Sequence, residues 1–552
     1  MGFHQDAPQL PHPLHTDQLL QHLLTHDLPA TRHPATLPDL EALGDYALQA
    51  YARRRHTPPE TPVHTPWSAW GRRVDRIALT TAWREGATIT TRHGVLATGH
   101  DAGNGPTARL EQFLRVYLYH VASEFYTCPL AMTDGAATAI KASGNRALMD
   151  RALPHFLGRD ATELWLSGQW MTETIGGSDI SHTETQARRD VDGQWRLYGR
   201  KWFTSAIVGE AAMALARPEG HADGLALFYV ETHDAEGHWN GLAIDRIKDK
   251  LGTRELPTAE IHLDGVPAWP IGDLAQGVHQ VVPMLNVTRT WNAVCAVASS
   301  ARCLALAGDY ARRRTAFGHP LIEQPLHLRT LADLQAEHAG GFALAFCVAE
   351  LLGRTEADQA ANFEPALLRL LTPLAKLWTG KLAVNIASET LECFGGNGYI
   401  EDTGLPQLLR DAQVYPIWEG TTNVLSLDML RALGKHGLTP LRQGITAWLV
   451  TVPEHAPVRR IIEHALDSVD AHLQAASTAP DRLASGARGI AVSLARTAAA
   501  ALLTRNAARA PEDAFAQAAL AVFTDHGLLR LVDTSHLDAM HALLAPAHDA
   551  AA

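Results

Sequence analysis

The hydrophobic pattern of this chain changes period twice, and those two changes constrain the fold more than any other feature. Residues 61–165 place apolar side chains at helical intervals, as in Leu110-Glu111-Gln112-Phe113-Leu114-Arg115-Val116-Tyr117-Leu118. Residues 166–272 instead favour strands: Asp192-Gly193 is a hairpin signal, Gln194 to Tyr198 alternates roughly, and Leu225 to Val230 reads as a buried strand. Ala259-Glu260-Ile261-His262-Leu263 alternates up to a turn expected at Asp264-Gly265. Residues 273–439 return to a helical period, with an alanine-rich helix from Ala293 to Arg314 and a long helical stretch from Leu367 to Leu391, expected to be interrupted near Pro373. Strands gathered in one block between helical blocks exclude alternating βαβ units and give an α+β class.

Two further segments flank this frame. Residues 1–60 are rich in His, Pro and Thr, with leucine pairs at 19–20 and 23–24, and read as a solvated N-terminal extension. His12, His15, His22 and His26 lack acidic or cysteine partners at ligand spacing along the sequence, so no metal site is expected there. Residues 440–552 are helical, set off by Gly434, Gly437 and Pro440, with an internal loop at Ser477-Thr478-Ala479-Pro480. A chain of 552 residues exceeds one ordinary core, so several domains are expected.

Some partners are disfavoured at once. A formal net charge of −12 argues against nucleic acid binding by overall charge, although a local basic patch is compatible with it. No apolar run is long enough to span a membrane, and no basic region followed by an apolar run opens the chain, so a cytoplasmic location is expected. Cys128, Cys295, Cys303, Cys347 and Cys393 form no CxxC pair and read as buried small hydrophobes in a reducing compartment.

Four motifs carry the chemistry. Met171 to Asp179 joins hydroxyls to a glycine turn, which could hydrogen-bond a heterocycle and a pyrophosphate or be an ordinary loop. Arg200-Lys201-Trp202-Phe203-Thr204-Ser205 sets an aromatic between basic and hydroxyl groups at a strand end, where Trp202 could wall a flat ring or simply fill core. Arg312-Arg313-Arg314-Thr315-Ala316-Phe317-Gly318 offers an arginine fork suited to phosphate, or a solvated charge run. Last, the turn Phe394-Gly395-Gly396-Asn397-Gly398 precedes Ile417-Trp418-Glu419-Gly420-Thr421-Thr422-Asn423. A carboxylate in an apolar pocket can be tuned into a base, which singles out Glu419. There is no GxxxxGKS/T sequence and no strand followed by GxGxxG, which argues against triphosphate hydrolysis and against a Rossmann cofactor site.

In this order and spacing the four motifs resemble the acyl-CoA dehydrogenase family of flavoproteins, over roughly residues 120–436. The chain is similar in particular to the AidB branch, the adaptive-response flavoproteins tied to alkylation damage. The residues that carry this are Glu124 to Thr133, Met171 to Asp179, Lys201-Trp202-Phe203, Phe317 to Ile322 and Ile417 to Gly420, together with both terminal extensions. The resemblance implies a helical N-terminal domain, a central β-barrel-like domain, a helical bundle bearing the catalytic glutamate and an extra C-terminal helical domain. It implies FAD as cofactor and a homotetramer. Thr172, Gly177 and Ser178 would meet the flavin ring and phosphates, and Trp202, Thr204 and Ser205 would line the flavin. Arg314, Phe317, Gly395 and Gly396 would bind FAD from a neighbouring subunit, and Thr421 and Asn423 would contact the cofactor beyond Glu419. Trp418, Arg289 and Arg254 would border the substrate, with Arg289 holding the site's geometry. Glu392 stands where the family often has glutamine.

The implied reaction is α-proton abstraction by Glu419 with β-hydride transfer to flavin N5, on a short or branched acyl-CoA, with an electron-transfer flavoprotein or another acceptor taking the electrons. The alternative is an AidB-like protein that binds double-stranded DNA through arginines of residues 440–552, with weak or vestigial dehydrogenation. A flavin oxidase on the same fold is a third reading; its nitroalkane-oxidising relatives use aspartate as base, so Glu419 favours dehydrogenation.

Overall fold

Leucines four apart along residues 10–28 make an apolar stripe that overrides the polar composition around it. In the computed structural model, which describes residues 4–544 apart from 124 and 222–223, the segment folds as α1 (Pro13–Thr16) and α2 (Gln18–His26), followed by α3 (His33–Arg54). Leu14, Leu20, Leu23, Leu24, Leu40 and Leu43 are buried in the main core, and Tyr117 donates to the Asp17 carboxylate that caps α2. The solvated extension expected from the sequence is therefore corrected: composition reported the outer face of these helices, and leucine spacing the inner one. Glu124, at the start of one family-like segment, lies outside the described residues.

The next block is not all helical. A hairpin, β1 (Val63–Trp67) and β2 (Arg73–Ala78), precedes α4 (Thr81–Arg92), α5 (Ala108–His120), α6 (Thr127–Ser143) and α7 (Arg146–Phe156). Every residue of α5 is buried, so its charged side chains need internal partners. Arg109 binds Asp134 and Glu356, Glu111 binds Arg32 and Thr36, and Arg115 binds Asp39.

The strand block closes on itself. Its elements are β3 (Ser167–Trp170), β4 (Gln186–Arg189), β5 (Trp195–Ser205), β6 (Ala211–Pro218), β7 (Ala226–Glu231), β8 (Leu242–Ile247) and β9 (Thr258–Pro270). Pairings β4–β5, β5–β9, β9–β7, β7–β6 and β6–β4 complete a ring, with β3 parallel to β6 and β8 antiparallel to β9 at its margins. The hairpin expected at Asp192-Gly193 joins β4 to β5. The turn expected at Asp264-Gly265 does not form: β9 runs through it, and Gly265, at φ +82°, is an extra residue opposite Leu197 and Tyr198.

The bundle consists of α8 (Gly277–Arg313), α9 (Pro325–Glu356), α10 (Glu364–Cys393), α11 (Leu405–Ala412) and α12 (Thr422–His436). α10 is continuous through Pro373, contrary to the expected interruption. Its burial between α8, α9 and α12 outweighs the roughly 3 kcal/mol a helix-interior proline costs. α13 (Thr439–Trp448), α14 (Pro457–Ala476), α15 (Pro480–Arg509) and α16 (Ala514–Asp525) follow, and they share the core of the bundle. Cys295, Cys303 and Cys347 are buried as expected, whereas Cys128 and Cys393 are only half-buried; all five are free. Among the described residues no helix is long and apolar enough to cross a membrane.

Candidate functional site

Glu419 lies just before the N-terminus of α12, where a negative charge faces the positive end of the helix dipole. Its backbone is left-handed, with φ +56°. A non-glycine residue pays about 1–2 kcal/mol for that conformation, so the surroundings must hold it. The Arg289 Nε donates to the Glu419 carbonyl at 3.2 Å, and the Lys376 Nζ donates to the Gly420 carbonyl at 2.7 Å. The side chain is aimed separately: the Thr288 hydroxyl donates to Glu419 Oε2 at 2.8 Å.

A second layer fixes the first. Asp428 on α12 accepts from Arg289 at 2.8 Å and from Arg369 at 2.6 Å. Burial alone would raise its carboxyl, but the hydrogen bond from Arg369 and the charge of Arg289 hold it below the usual range. Lys376 is fully buried on α10. Burial pushes its amine down to about 7, against the pull of the Glu419 carboxylate. Cys128, whose thiol is pushed up chiefly by burial and further by the Glu419 charge, stands close to the same carboxylate.

An aromatic wall borders the base. Half-buried Trp418 meets Phe125 edge-on at 6.3 Å, and Phe125 meets Tyr415 at 5.9 Å. Behind them the Tyr415 hydroxyl lies 2.6 Å from both Ser299 Oγ and His120 Nε2. Burial pushes His120 down to about 3, so it is a neutral member of this triad at ordinary pH.

The first two motifs come together on the barrel. The Trp202 amide donates to the Thr172 carbonyl at 3.0 Å, joining the loop after β3 to β5. Trp202 is half-buried and Phe203 is 52% exposed, with the Lys248 amine 3.7 Å and 4.4 Å from the two ring centres. Gly177 presses on the Thr172 side chain: a Cβ there would lie 2.6 Å from its hydroxyl. Ser178 is exposed. Thr204 departs from its expected role, since its fully buried hydroxyl donates to Ala259 O at 2.7 Å inside the barrel. Ser205, half-buried, shares a hydrogen bond with Thr258 at 3.0 Å.

The remaining expected residues divide. Phe317 (96% exposed, φ +52°) projects from the surface, and Gly395, Gly396, Thr421 and Asn423 are exposed too. Arg314 is half-buried at the end of α8. Arg254 sits in a solvent-exposed pair with Asp249 at 2.6 Å. Arg289, expected to border the substrate and to hold the site's geometry, turns its guanidinium to the Glu419 carbonyl and Asp428. Sequence reasoning missed Lys376 and Asp428 and gave Thr288 no task. A lysine within Leu374-Ala375-Lys376-Leu377-Trp378 was the available signal, because an apolar helical stretch does not spend a charge without a partner.

Of the arginines that suggested a phosphate-binding C-terminal region, Arg442 pairs with Asp467, Arg496 with Glu337, and Arg505 and Arg509 with Asp27. Arg459 donates to the Leu449 and Val452 carbonyls. Arg460 and Arg488 are exposed, with no ion pair or side-chain hydrogen bond among the described residues.

Comparison with known proteins gives four consecutive matches. Residues 11–160 match the adaptive response protein AidB N-terminal domain, 168–266 the acyl-CoA dehydrogenase middle domain, 275–434 the acyl-CoA dehydrogenase C-terminal domain, and 449–543 the acyl-CoA dehydrogenase 11 C-terminal domain-like model. Acyl-CoA dehydrogenase family member 11 of Caenorhabditis elegans is 41% identical over 79% of this chain and 73% of its own. The putative acyl-CoA dehydrogenase AidB of Escherichia coli is 34% identical over 67% and 68%. The crystal structure of C. elegans ACDH-11 in complex with C11-CoA superposes with a TM-score of 0.93, at 35% identity, covering 98% of this chain and 96% of that one.

Proposed function

Because this chain belongs to the acyl-CoA dehydrogenase family, whose cofactor is FAD, we propose that it dehydrogenates an acyl-CoA thioester with Glu419 as the base that removes the α-proton. The observation that carries this is the hold on Glu419: a left-handed backbone fixed by Arg289 and Lys376, and a carboxylate aimed by the Thr288 hydroxyl. Such preorganisation is what a base needs to meet a weakly acidic proton, and a positioned base contributes roughly 100- to 10,000-fold.

The residues present fit the cofactor. The Trp202 amide ties Trp202 to the Thr172 carbonyl at the barrel edge, and Gly177 leaves the Thr172 hydroxyl room that a Cβ would take. When bound, FAD would supply the electron acceptor for the β-hydride. Trp202, Thr172 and Ser178 would hold it, and Trp418 and Phe125 would keep water from Glu419. Phe317, Tyr399 and Ile400 form exposed apolar surface on the two segments expected to reach a neighbouring subunit's cofactor, which supports a homotetramer.

The wall of Trp418 and Phe125 favours a short or branched acyl chain. A straight chain of the length seen in the C11-CoA complex of ACDH-11 is its competitor. An electron-transfer flavoprotein would reoxidise the cofactor. Double-stranded DNA has less support, since most of the C-terminal arginines named above are engaged within the chain.

Anaerobic titration with a panel of acyl-CoAs tests the reading. The wild type should bleach with at least one of them. Glu419→Gln should retain FAD and lose bleaching by more than about 100-fold in rate. Unchanged bleaching in that variant removes Glu419 as the base.

A further inference from the structure

Along the sequence the histidines of the N-terminal segment have no ligand partners, but the fold supplies them from α3. His12 precedes α1 and His15 lies within it, and their imidazoles stack with centroids 4.3 Å apart. Both turn toward one turn of α3. The His15 Nε2 lies 2.8 Å from Glu41 Oε1, and the His12 Nε2 lies 3.8 Å from that same oxygen and 3.6 Å from Asp45 Oδ1. One ring nitrogen of each histidine and one Glu41 oxygen all lie within 4.8 Å of one another. Two carboxylates four apart on a helix face the same side, so Glu41 and Asp45 address one point.

His12 carries the second observation. Its side chain is 13% exposed, and both ring nitrogens are shielded from solvent with no hydrogen-bond partner among the described residues. A buried polar group without a partner is destabilising, and an imidazole nitrogen so placed offers a lone pair suited to a metal. The ring reaches this position because residue 44 is glycine: a Cβ there would lie 2.3 Å from His12 Cε1 and 2.6 Å from Nε2. Gly44 is inside α3, where glycine otherwise weakens a helix relative to alanine.

We infer that His12, His15, Glu41 and Asp45 form a divalent transition-metal site of the zinc type that clips α1 to α3. Two imidazoles and two carboxylates suit a borderline cation such as Zn2+ or Co2+. Ligand atoms about 2.0–2.2 Å from a tetrahedral zinc stand about 3.3 Å apart, and the distances of 2.8, 3.6 and 3.8 Å straddle that spacing. Slight rotation of the exposed Glu41 and Asp45 side chains closes the set. The site lies on the N-terminal helices and involves none of the residues around Glu419. Its role is structural: a cation bound only by the folded chain holds α1, and with it Leu14, against the core.

The test uses the full-length, chelator-treated protein and Zn2+ alone, followed by calorimetry and thermal melts, with Co2+ absorption as a report of coordination geometry. One Zn2+ per chain should bind and raise Tm, and Co2+ should give the visible bands of a tetrahedral nitrogen and oxygen site. His12→Ala and Glu41→Gln should each weaken binding at least tenfold. Gly44→Ala, which removes no ligand atom, should do the same by displacing the His12 ring, while its melting temperature without metal stays within a few degrees of the wild type. His26→Ala, at an exposed histidine outside the cluster, should leave binding unchanged. Zn2+ binding that is equal in wild type, His12→Ala and Gly44→Ala, or that matches the loss in His26→Ala, overturns the site.

Discussion

Lys376→Met separates the two tasks that the structure gives to this lysine. The amine is fully buried and pushed down to about 7 from an ordinary 10.5, mainly by burial. Between those values the unfolded chain holds a proton that the folded chain has shed. Stability contributed by this group therefore rises with pH across that window, and below about 7 the folded state carries the full cost of a buried charge. At about 1.4 kcal/mol per pH unit, the gain between pH 7.5 and 9.5 is about 2.5 kcal/mol. Methionine fills similar volume and cannot titrate, but it leaves the Gly420 carbonyl without its donor, at a cost of about 1–3 kcal/mol at every pH. For a 552-residue chain the unfolding entropy is about 1.2 kcal/mol per kelvin, so 2.5 kcal/mol is about 2 °C in Tm. Thermal melts of both proteins at pH 7.5 and 9.5 should show the wild type ahead at pH 9.5, with its lead about 2 °C smaller at pH 7.5. Parallel Tm profiles, or a lead that grows toward acid, refute the assignment of a shifted, buried amine.

Two further outcomes follow from the same reasoning. Asp134 is buried among Arg109, His100, Gln112 and Trp291, at 2.7–2.8 Å from each, and although burial opposes it the charges of Arg109 and then His100 hold its carboxyl well below the usual range. Asp134→Asn leaves Arg109 short of a counter-charge and should cost about 3–5 kcal/mol at pH 7, and the deficit should shrink as pH falls through and below the ordinary aspartate range near 3.8, where the wild type loses the same contribution; Tm against pH for both proteins checks it. Gly177→Ala forces its new methyl onto the Thr172 hydroxyl and should weaken FAD retention at least about tenfold, or 1.4 kcal/mol, read as flavin absorbance per chain after dialysis.

Much of the frame was legible because period reports which face is buried. The strand block, its hairpin at Asp192-Gly193 and the buried strand at Leu225–Val230 are local signals, and they fold as read. The misreadings have one cause in common: tertiary packing overrode a local cue. Pro373 does not break α10, Gly265 is absorbed as a bulge and not as a turn, and the His- and Pro-rich N-terminus folds onto the core through its leucines. Within the site, Glu419 stood out because it follows the glycine cluster at 395–398 in a segment that matches a family motif. Its supports did not, because Thr288, Lys376 and Asp428 come from three different helices. Long-range geometry of that kind leaves no spacing in the sequence. The acidic partners of His12 were invisible for the same reason, being about thirty residues away along the chain and one helix away in space.

The C-terminal helices bear on the base through α10. Residues two apart on a helix point about 200° away from each other, so Lys376 and Trp378 face opposite sides. Lys376 reaches Gly420 beside the base, while Trp378 meets Phe523 of α16 edge-on at 6.0 Å. Phe523 in turn lies on Gly340 of α9 and under the Arg496 guanidinium, 4.5 Å from its ring centre. Arg496 is tied to Glu337, and Arg505 and Arg509 are tied to Asp27 at the end of α2. Arg496, Arg505 and Arg509 thus pin α15 to α9 and to the N-terminal helices. DNA binding would need them free to release counterions from several phosphates, and only Arg460 and Arg488, among those that suggested it, are exposed without partners among the described residues. The Trp378–Phe523 contact joins α10 to the C-terminal helices, and the same α10 carries Lys376 to the Gly420 carbonyl beside Glu419.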